Sequence, residues 1–341
     1  MTADAVQISV HDRLDQIDPA EWSEVVAAAQ APVFYDSTFL RAYERLPLQQ
    51  TGKFFYLRFG DPAVAVLPAY VQSTDDPLGK VAGLGLPGRE PGDRILQTHV
   101  AHCYDTLIPA RPGALTPRLV EQACETLGTL AAQEGLKWFA FLNVDGSSDL
   151  AGMLASAGLA RYPIFTRYNK RISGFRTAED FIDGIPSSKA RYLLRHNYRQ
   201  AQNAGMEITY PDPAQGVPGA VGLCQSTTAR HGTAAYYPDC FGDFVTLAAD
   251  VISVIEIRLR GGLAAAVINL HDPLRFHMWA GGADHALLEG VRSSFPLMLL
   301  SAMERAVETR YPIFEAGRAN DATKQQFRLN SLPLFAFVGT V

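Results

Sequence analysis

The sequence predicts an α+β protein built from two similar lobes, and an internal pseudo-repeat is the main reason. The stretch KFFYLRFGDPAVAVLPAYV (53–71) reads as two strand-like runs broken at Gly60-Asp61-Pro62. VIEIRLRGGLAAAVINLH (254–271) reads the same way, broken at Gly261-Gly262. A helix and then a strand follow each pair: residues 116–135 into 136–144, and residues 293–310 into 311–317. Both helices open with Ser or Thr near a proline, the pattern of an N-cap followed by a first-turn proline. Two copies of hairpin, helix and strand point to two lobes rather than one doubly wound sheet. Gly158, Pro163 and Gly174 interrupt the periodic patterns, so the expected lobes are 1–165 and 166–341. The second includes a distinct helix over 187–204, capped by Ser187 or Ser188 and ended at Gly205.

Composition narrows the class without naming a chemistry. The chain has 341 residues, 48% of them hydrophobic and 19% charged, which suits two ordinary globular cores. A formal charge of −5 argues against a global basic surface. No apolar run reaches the roughly 18–20 residues of a membrane span, and the start lacks a signal-peptide pattern. Four cysteines without a C-x-x-C pair argue against a disulfide scaffold. A cytoplasmic protein with reduced thiols is the resulting expectation.

Three groups of residues have chemical potential. Between 161 and 200 the chain carries nine basic residues against three acidic ones, among them Lys189, Arg191, Arg195 and Arg199. The three arginines recur every four residues on one helical stripe, where like charges repel by a few tenths of a kcal/mol per pair. Phosphates would relieve that repulsion, and so would acids on another element. The second group is PIFEAGRANDATKQQF (312–327), with Glu315 near a strand end, Gly317 at its exit, and Arg318 and Lys324 beyond. A cation such as Lys324 suits the oxyanion of an acyl-transfer intermediate, whereas a salt-bridge cluster is the plainer alternative. The third group is Arg230, His231, Tyr236, Tyr237 and Asp239, with His277, Asp284 and His285 at a turn after the second hairpin.

Other signals fail. Gly83, Gly85 and Gly88 match G-x-G-x-x-G, but Pro87 sits inside the motif and no helix follows. His99, His102 and Cys103 lack a second ligand cluster for zinc, so no metal site is expected.

The segments FIDGIPSSKARYLLRHNYRQAQNAGMEITY (181–210), FPLMLLSAMERAVETRYPIFEAGRANDATKQQF (295–327) and EWSEVVAAAQAPVFYDSTFLRAYE (21–44) together resemble the GNAT-like acyltransferases of the Fem, or non-ribosomal peptidyltransferase, type. The resemblance covers most of the chain and implies two tandem GNAT-like lobes, each a mixed sheet flanked by helices. The family's strand ending in an acid and glycine, with a lysine after it, is matched by Glu315, Gly317 and Lys324. It implies that Lys324 acts on the donor carbonyl or transition state, with Glu315 as a weaker candidate for taking up a proton. Where the family usually has a glycine after this lysine, the chain has Gln326-Phe327-Arg328-Leu329.

Such enzymes form amides, some from aminoacyl-tRNA and relatives from acyl-CoA. Acetyl-CoA enzymes of the fold hold pyrophosphate on a [QR]-x-x-G-x-[GA] loop. The corresponding stretches here, Arg292-Ser293-Ser294-Phe295-Pro296-Leu297 and Arg111-Pro112-Gly113-Ala114-Leu115-Thr116, do not reproduce it. The expected function is therefore aminoacyl transfer from aminoacyl-tRNA to a small-molecule or nucleotide-linked amine acceptor. Lys324 and Glu315 are the catalytic candidates. Arg318, His231, Tyr236, Tyr237 and Asp284 would bind substrate, and Lys189, Arg191, Arg195 and Arg199 would contact tRNA phosphates. No cofactor beyond the co-substrate is expected. An acyl-CoA-dependent N-acyltransferase is the alternative, and a non-catalytic metabolite-binding protein the second. A closed Lys324–Glu315 ion pair with no pocket beside it would favour the latter.

Overall fold

A computed structural model of the chain describes residues 6–98, 102–291 and 293–341, which form twelve strands and ten α-helices. The first stretch runs β1 (Ile8–His11), α1 (Pro19–Ala28), α2 (Ser37–Arg45), β2 (Thr51–Phe59), β3 (Ala65–Ser73), β4 (Arg94–Gln97), α3 (Pro117–Gln133), β5 (Trp138–Asp145), α4 (Asp149–Ser156) and β6 (Ala160–Arg171). The remainder runs α5 (Ala178–Asp183), α6 (Ser188–Asn203), β7 (Glu207–Thr209), α7 (Pro218–Arg230), α8 (Phe241–Leu247), β8 (Ile252–Leu259), β9 (Gly262–His271), β10 (Arg275–Ala283), α9 (Ser294–Glu308), β11 (Ile313–Gly317), α10 (Asp321–Gln326) and β12 (Asn330–Thr340). None of the described helices is long and apolar enough to cross a membrane.

The chain folds as two compact units, Met1–Thr166 with Leu332–Val341, and Arg167–Ser331. The crossing lies one residue from the expected lobe boundary. The end of the chain differs from the expectation, because β12 pairs antiparallel with β5 and places Phe337 in the core of unit 1. Expected lobe 166–341 therefore loses its last ten residues to unit 1.

Unit 1 orders its strands β1-β2-β3-β4-β5-β12, antiparallel except for the parallel β4/β5 pair. Unit 2 orders its strands β6-β11-β10-β9-β8-β7, antiparallel except for the parallel β10/β11 pair. Each is a mixed sheet flanked by helices, and the repeated hairpins are β2/β3 and β8/β9. Arg260 and Gly261 both take positive φ (52° and 79°) in the second hairpin turn, a twist that matches flanking strands in a two-residue loop. Thr116 caps α3 through its side chain with Pro117 at the first position, as read from the sequence. In α9 the N-cap Ser293 makes no side-chain cap bond, and Pro296 is the third helical residue.

β10 is the element that the sequence reading assigned to a turn. Its Gly281 and Gly282 are strand glycines kept small for neighbours, not turn residues. A Cβ on Gly282 would lie 2.2 Å from the carbonyl carbon of Leu223, so α7 packs its backbone directly against the strand. Arg230 of α7 donates to the Ala283 carbonyl (2.8 Å), and Thr227 accepts from the Ala283 amide (3.2 Å). These bonds satisfy strand groups that no neighbouring strand reaches. Gly282→Ala is expected to push α7 away and lower stability by about 1–3 kcal/mol, seen as a lower urea midpoint at unchanged slope.

Candidate functional site

The site forms where β10 and β11 stop pairing. Their parallel ladder has three rungs, Arg275 with Ile313, Phe276 with Phe314 and His277 with Glu315. Beyond the last rung β10 bulges between Met278 and Ala280 and continues to Ala283. β11 bulges between Glu315 and Gly317, where Gly317 at φ 67° turns the chain away. A cavity of about 310 Å³ occupies the opening. β10 contributes Met278 to Gly281 and Ala283, α9 contributes Ser294, Phe295 and Met298, and α7 contributes Thr227. His231, His285, Ala316, Arg318, Asn320 and Lys324 complete the wall.

Lys324 is 1% exposed, which is rare for a lysine and requires a reason. Ala319 and Asn320 both take left-handed φ (62° and 55°), reversing the chain so that α10 turns Lys324 inward. Its Nζ donates to the Arg318 carbonyl at 2.7 Å and lies 5.4 Å from the Tyr168 ring centre and 5.8 Å from that of Phe295. Burial is the largest influence and pushes its pKa down to about 7; Asp321 pulls the other way and Arg318 adds to the fall. The amine is therefore partly neutral near pH 7, not the fixed cation that the sequence suggested.

Glu315 plays a different part from the expected proton acceptor. Its two oxygens accept from Arg167 Nε (3.0 Å) and Nη2 (2.6 Å), and Oε1 also accepts from Asn169 at 3.4 Å. Glu315 is fully buried and is not part of the cavity wall. The pair anchors the last rung, where a bidentate guanidinium–carboxylate geometry suits a buried position.

The remaining expected residues separate into two sets. His231 and Arg318 line the cavity, and Arg318 donates to the Tyr236 hydroxyl at 3.3 Å. Tyr236 thus touches the site through Arg318. Tyr237 stacks on Phe241 with centroids 4.4 Å apart and acts in packing. Asp284 accepts from the amides of Ala286 (2.9 Å) and Leu287 (3.4 Å), which makes it a turn residue. Neither forms part of the cavity wall. Thr227, Trp279 and Asn320 were missed, and of these only the left-handed fitness of Asn320 left a sequence trace; Ser294, at a helix start able to hold a phosphate, also lines the wall.

The basic stripe lies on α6, which Ser187 caps by accepting from the Ala190 amide (3.2 Å). Arg195 bonds Glu179 and Asp183 of α5, and Arg191 donates to the carbonyls of Ile185 and Pro186. For Arg195 the alternative of acids on another element therefore holds. Lys189 and Arg199 are exposed. Tyr192, 64% exposed, stacks on His196 at 5.3 Å, and with the arginines they line a groove of about 360 Å³. His99 and Arg292 lie outside the described residues. Among those described, no group of three or more His, Cys, Asp or Glu side chains is placed to hold a metal ion.

Two stability measurements separate these roles. Glu315→Gln leaves Arg167 buried without its carboxylate and is expected to destabilise by about 3–5 kcal/mol. Lys324 works in the opposite sense. Below about pH 7 the amine is charged folded and unfolded, so its burial penalty is complete; between about 7 and 10.5 the folded chain sheds the proton first and stability rises with pH. Lys324→Met is expected to remove that rise and to gain at most about 4 kcal/mol at pH 7. Denaturant titrations between pH 6 and 10 check both, and a wild-type profile matching the methionine variant would contradict the assignment.

Comparison with known proteins agrees with this architecture. Residues 188–325 match the family model described as an acetyltransferase (GNAT) domain. No curated protein matches the sequence. Among solved structures, FemX is similar with a TM-score of 0.60 at 8% identity, covering 95% of this chain and 96% of its own. The C-terminal domain of a putative lysylphosphatidylglycerol synthetase from Agrobacterium fabrum gives 0.56 at 15% identity, covering 94% and 90%. A tandem GNAT protein from the clavulanic acid biosynthesis pathway gives 0.54 at 13% identity, covering 98% of each chain. At these identities the likeness is one of fold. The chain has the Fem-like tandem GNAT fold, and its residues 188–325 match the GNAT acetyltransferase model.

Proposed function

We propose that the protein is an amide-forming aminoacyltransferase, moving an aminoacyl group from aminoacyl-tRNA to an amine acceptor seated in the unit 2 cavity. The observation that carries this reading is the buried Lys324 Nζ at the cavity wall, beside a strand opening of about 310 Å³. The acceptor nitrogen, neutral when it attacks, forms a bond to the ester carbonyl carbon. The bond from that carbon to the ribose oxygen then breaks, and the proton leaving nitrogen ends on the ribose oxygen. Protonated Lys324 donates to the oxyanion formed between these events, and its dry surroundings strengthen the interaction. The carbonyl of Arg318 fixes where the ammonium sits.

Two features favour an aminoacyl-tRNA donor over acyl-CoA. Pro296 removes one first-turn amide of α9 that a pyrophosphate would use, and Phe295 fills space at the same helix start. The groove on α6 offers Arg191 and Arg199 to phosphates, beside the exposed Tyr192 ring stacked on His196, an aromatic pair of the kind on which unstacked bases sit. Fold similarity to FemX and to a lysylphosphatidylglycerol synthetase domain supports the same donor. The non-catalytic reading is weakened because Glu315 pairs with Arg167 and leaves Lys324 at an open cavity.

Single-turnover transfer from a labelled aminoacyl-tRNA pool tests the donor, with thiol release from acyl-CoAs as the competing outcome. Lys324→Ala is expected to lower turnover about 10²–10³-fold, and a variant with full turnover would exclude the oxyanion role. Replacing Arg191, Arg195 and Arg199 with Ala is expected to weaken tRNA binding and flatten its dependence on salt by roughly one logarithmic unit per lost phosphate contact. Unchanged affinity across a salt titration would remove α6 from the interface.

A further inference from the structure

The cavity wall has an unbalanced charge composition. Arg318, Lys324, His231 and His285 line it, whereas no aspartate or glutamate does so among the described residues. Its polar remainder, Thr227, Ser294 and Asn320, is uncharged. Of the acids nearest in sequence, Glu315 is bound by Arg167, Asp284 accepts two turn amides, and Asp321 lies on α10 outside the wall. Around Lys324 itself, α10 supplies Asp321, the preceding loop supplies Arg318, β6 supplies the Tyr168 ring and α9 supplies the Phe295 ring. Two ring faces thus flank the amine, one acid and one cation act on it by charge, and Nζ donates to the Arg318 carbonyl, which carries no formal charge. Asp321 is the one acid whose charge reaches the amine among the described residues, and no carboxylate there forms an ion pair with Nζ, so an ammonium in such a place is weakly compensated for a buried charge.

We infer that the acceptor carries an anionic group, a carboxylate or a phosphate, that enters the cavity beside Arg318 and Lys324, and that its arrival brings a proton onto Lys324 Nζ. The ligand adds a counter-charge to the one Asp321 supplies, so the charged form of the lysine gains population when the acceptor is present. At about 310 Å³ the space lies at the small end of ligand sites, about 300–1,000 Å³, and suits a small acceptor or the end of a larger one. The planar fork of Arg318 matches either oxyanion group. Lys324, depressed to about 7 chiefly by burial, has room to gain about half a proton at pH 7.

The inference rests on the aminoacyl-transfer reading only for the identity of the ligand as acceptor; the binding itself needs no donor. Calorimetry of the full chain at pH 7, in two buffers of different ionisation enthalpy, tests it with propionate, inorganic phosphate and neutral propionamide as probes. One anion or both is expected to bind at least about tenfold more tightly than propionamide, with uptake of about half a proton. Preference between the two anions assigns the group as carboxylate or phosphate. Lys324→Met is expected to abolish the proton uptake, and Arg318→Gln to weaken anion binding by about tenfold or more. Failure of both anions to bind, propionamide binding equally well, or uptake that persists in Lys324→Met each overturns the inference. These outcomes are independent of transfer from aminoacyl-tRNA, so a negative donor assay and a negative anion titration are distinguishable.

Discussion

A primary amine kept out of water at the mouth of a split sheet is the constraint on which unit 2 depends. Moving a lysine head group into such surroundings is unfavourable by several kcal/mol, and one carbonyl with two ring faces offsets only part of that. The rest of the unit supplies the difference through its core. Leu297, Leu300 and Met303 of α9 pack with Ile255, Val267, Phe276 and Phe314 of the sheet, well away from any need for polar partners. The strained loop through Ala319 and Asn320 belongs to the same account, since left-handed non-glycine residues persist only where surrounding structure over-determines them.

The opening itself follows from the strands. A parallel pair that separates after three rungs exposes backbone groups, and these must find other partners. α7 provides them for β10 through Arg230 and Thr227, and Gly282 permits the close approach. On the other side, the Arg167–Glu315 pair holds β6 and β11 together just before β11 turns away. One buried ion pair and one glycine thus fix the width of the gap, and the lysine reports the dryness of its interior.

The repeat was legible in sequence because hairpins and amphipathic helices have strong periodic signatures, and the units carry both hairpins, α3 and α9 where the patterns placed them. β10 was not legible, because strand glycines that serve packing look like turn glycines until the neighbour that needs their smallness is known. The destination of β12 was hidden for a related reason. Alternating apolar residues fix that a strand forms but not which sheet receives it. Within the site, Lys324, Arg318 and His231 were named from residue type and position, yet Glu315 looked catalytic because nothing in sequence shows Arg167, 148 positions away, closing on it. Long-range pairing and burial decide such roles, and neither has a local signature.

Burial and positive charge on one lysine look contradictory, since dryness strengthens an oxyanion donor while discharging it. The contradiction disappears if the charge is conditional. Burial makes the amine shed part of its proton near pH 7, so the unit avoids the full cost of a buried ammonium. When an anion occupies the wall formed by Arg318, Lys324, His231 and His285, the same low dielectric that depressed the amine makes the new attraction strong, and the proton returns. On the proposed reaction, a site built this way would stabilise an oxyanion less when no acceptor is bound, which would protect a reactive ester from attack by water. Selectivity for acceptor over water would then arise from electrostatics already present in the fold, with no requirement for a moving lid.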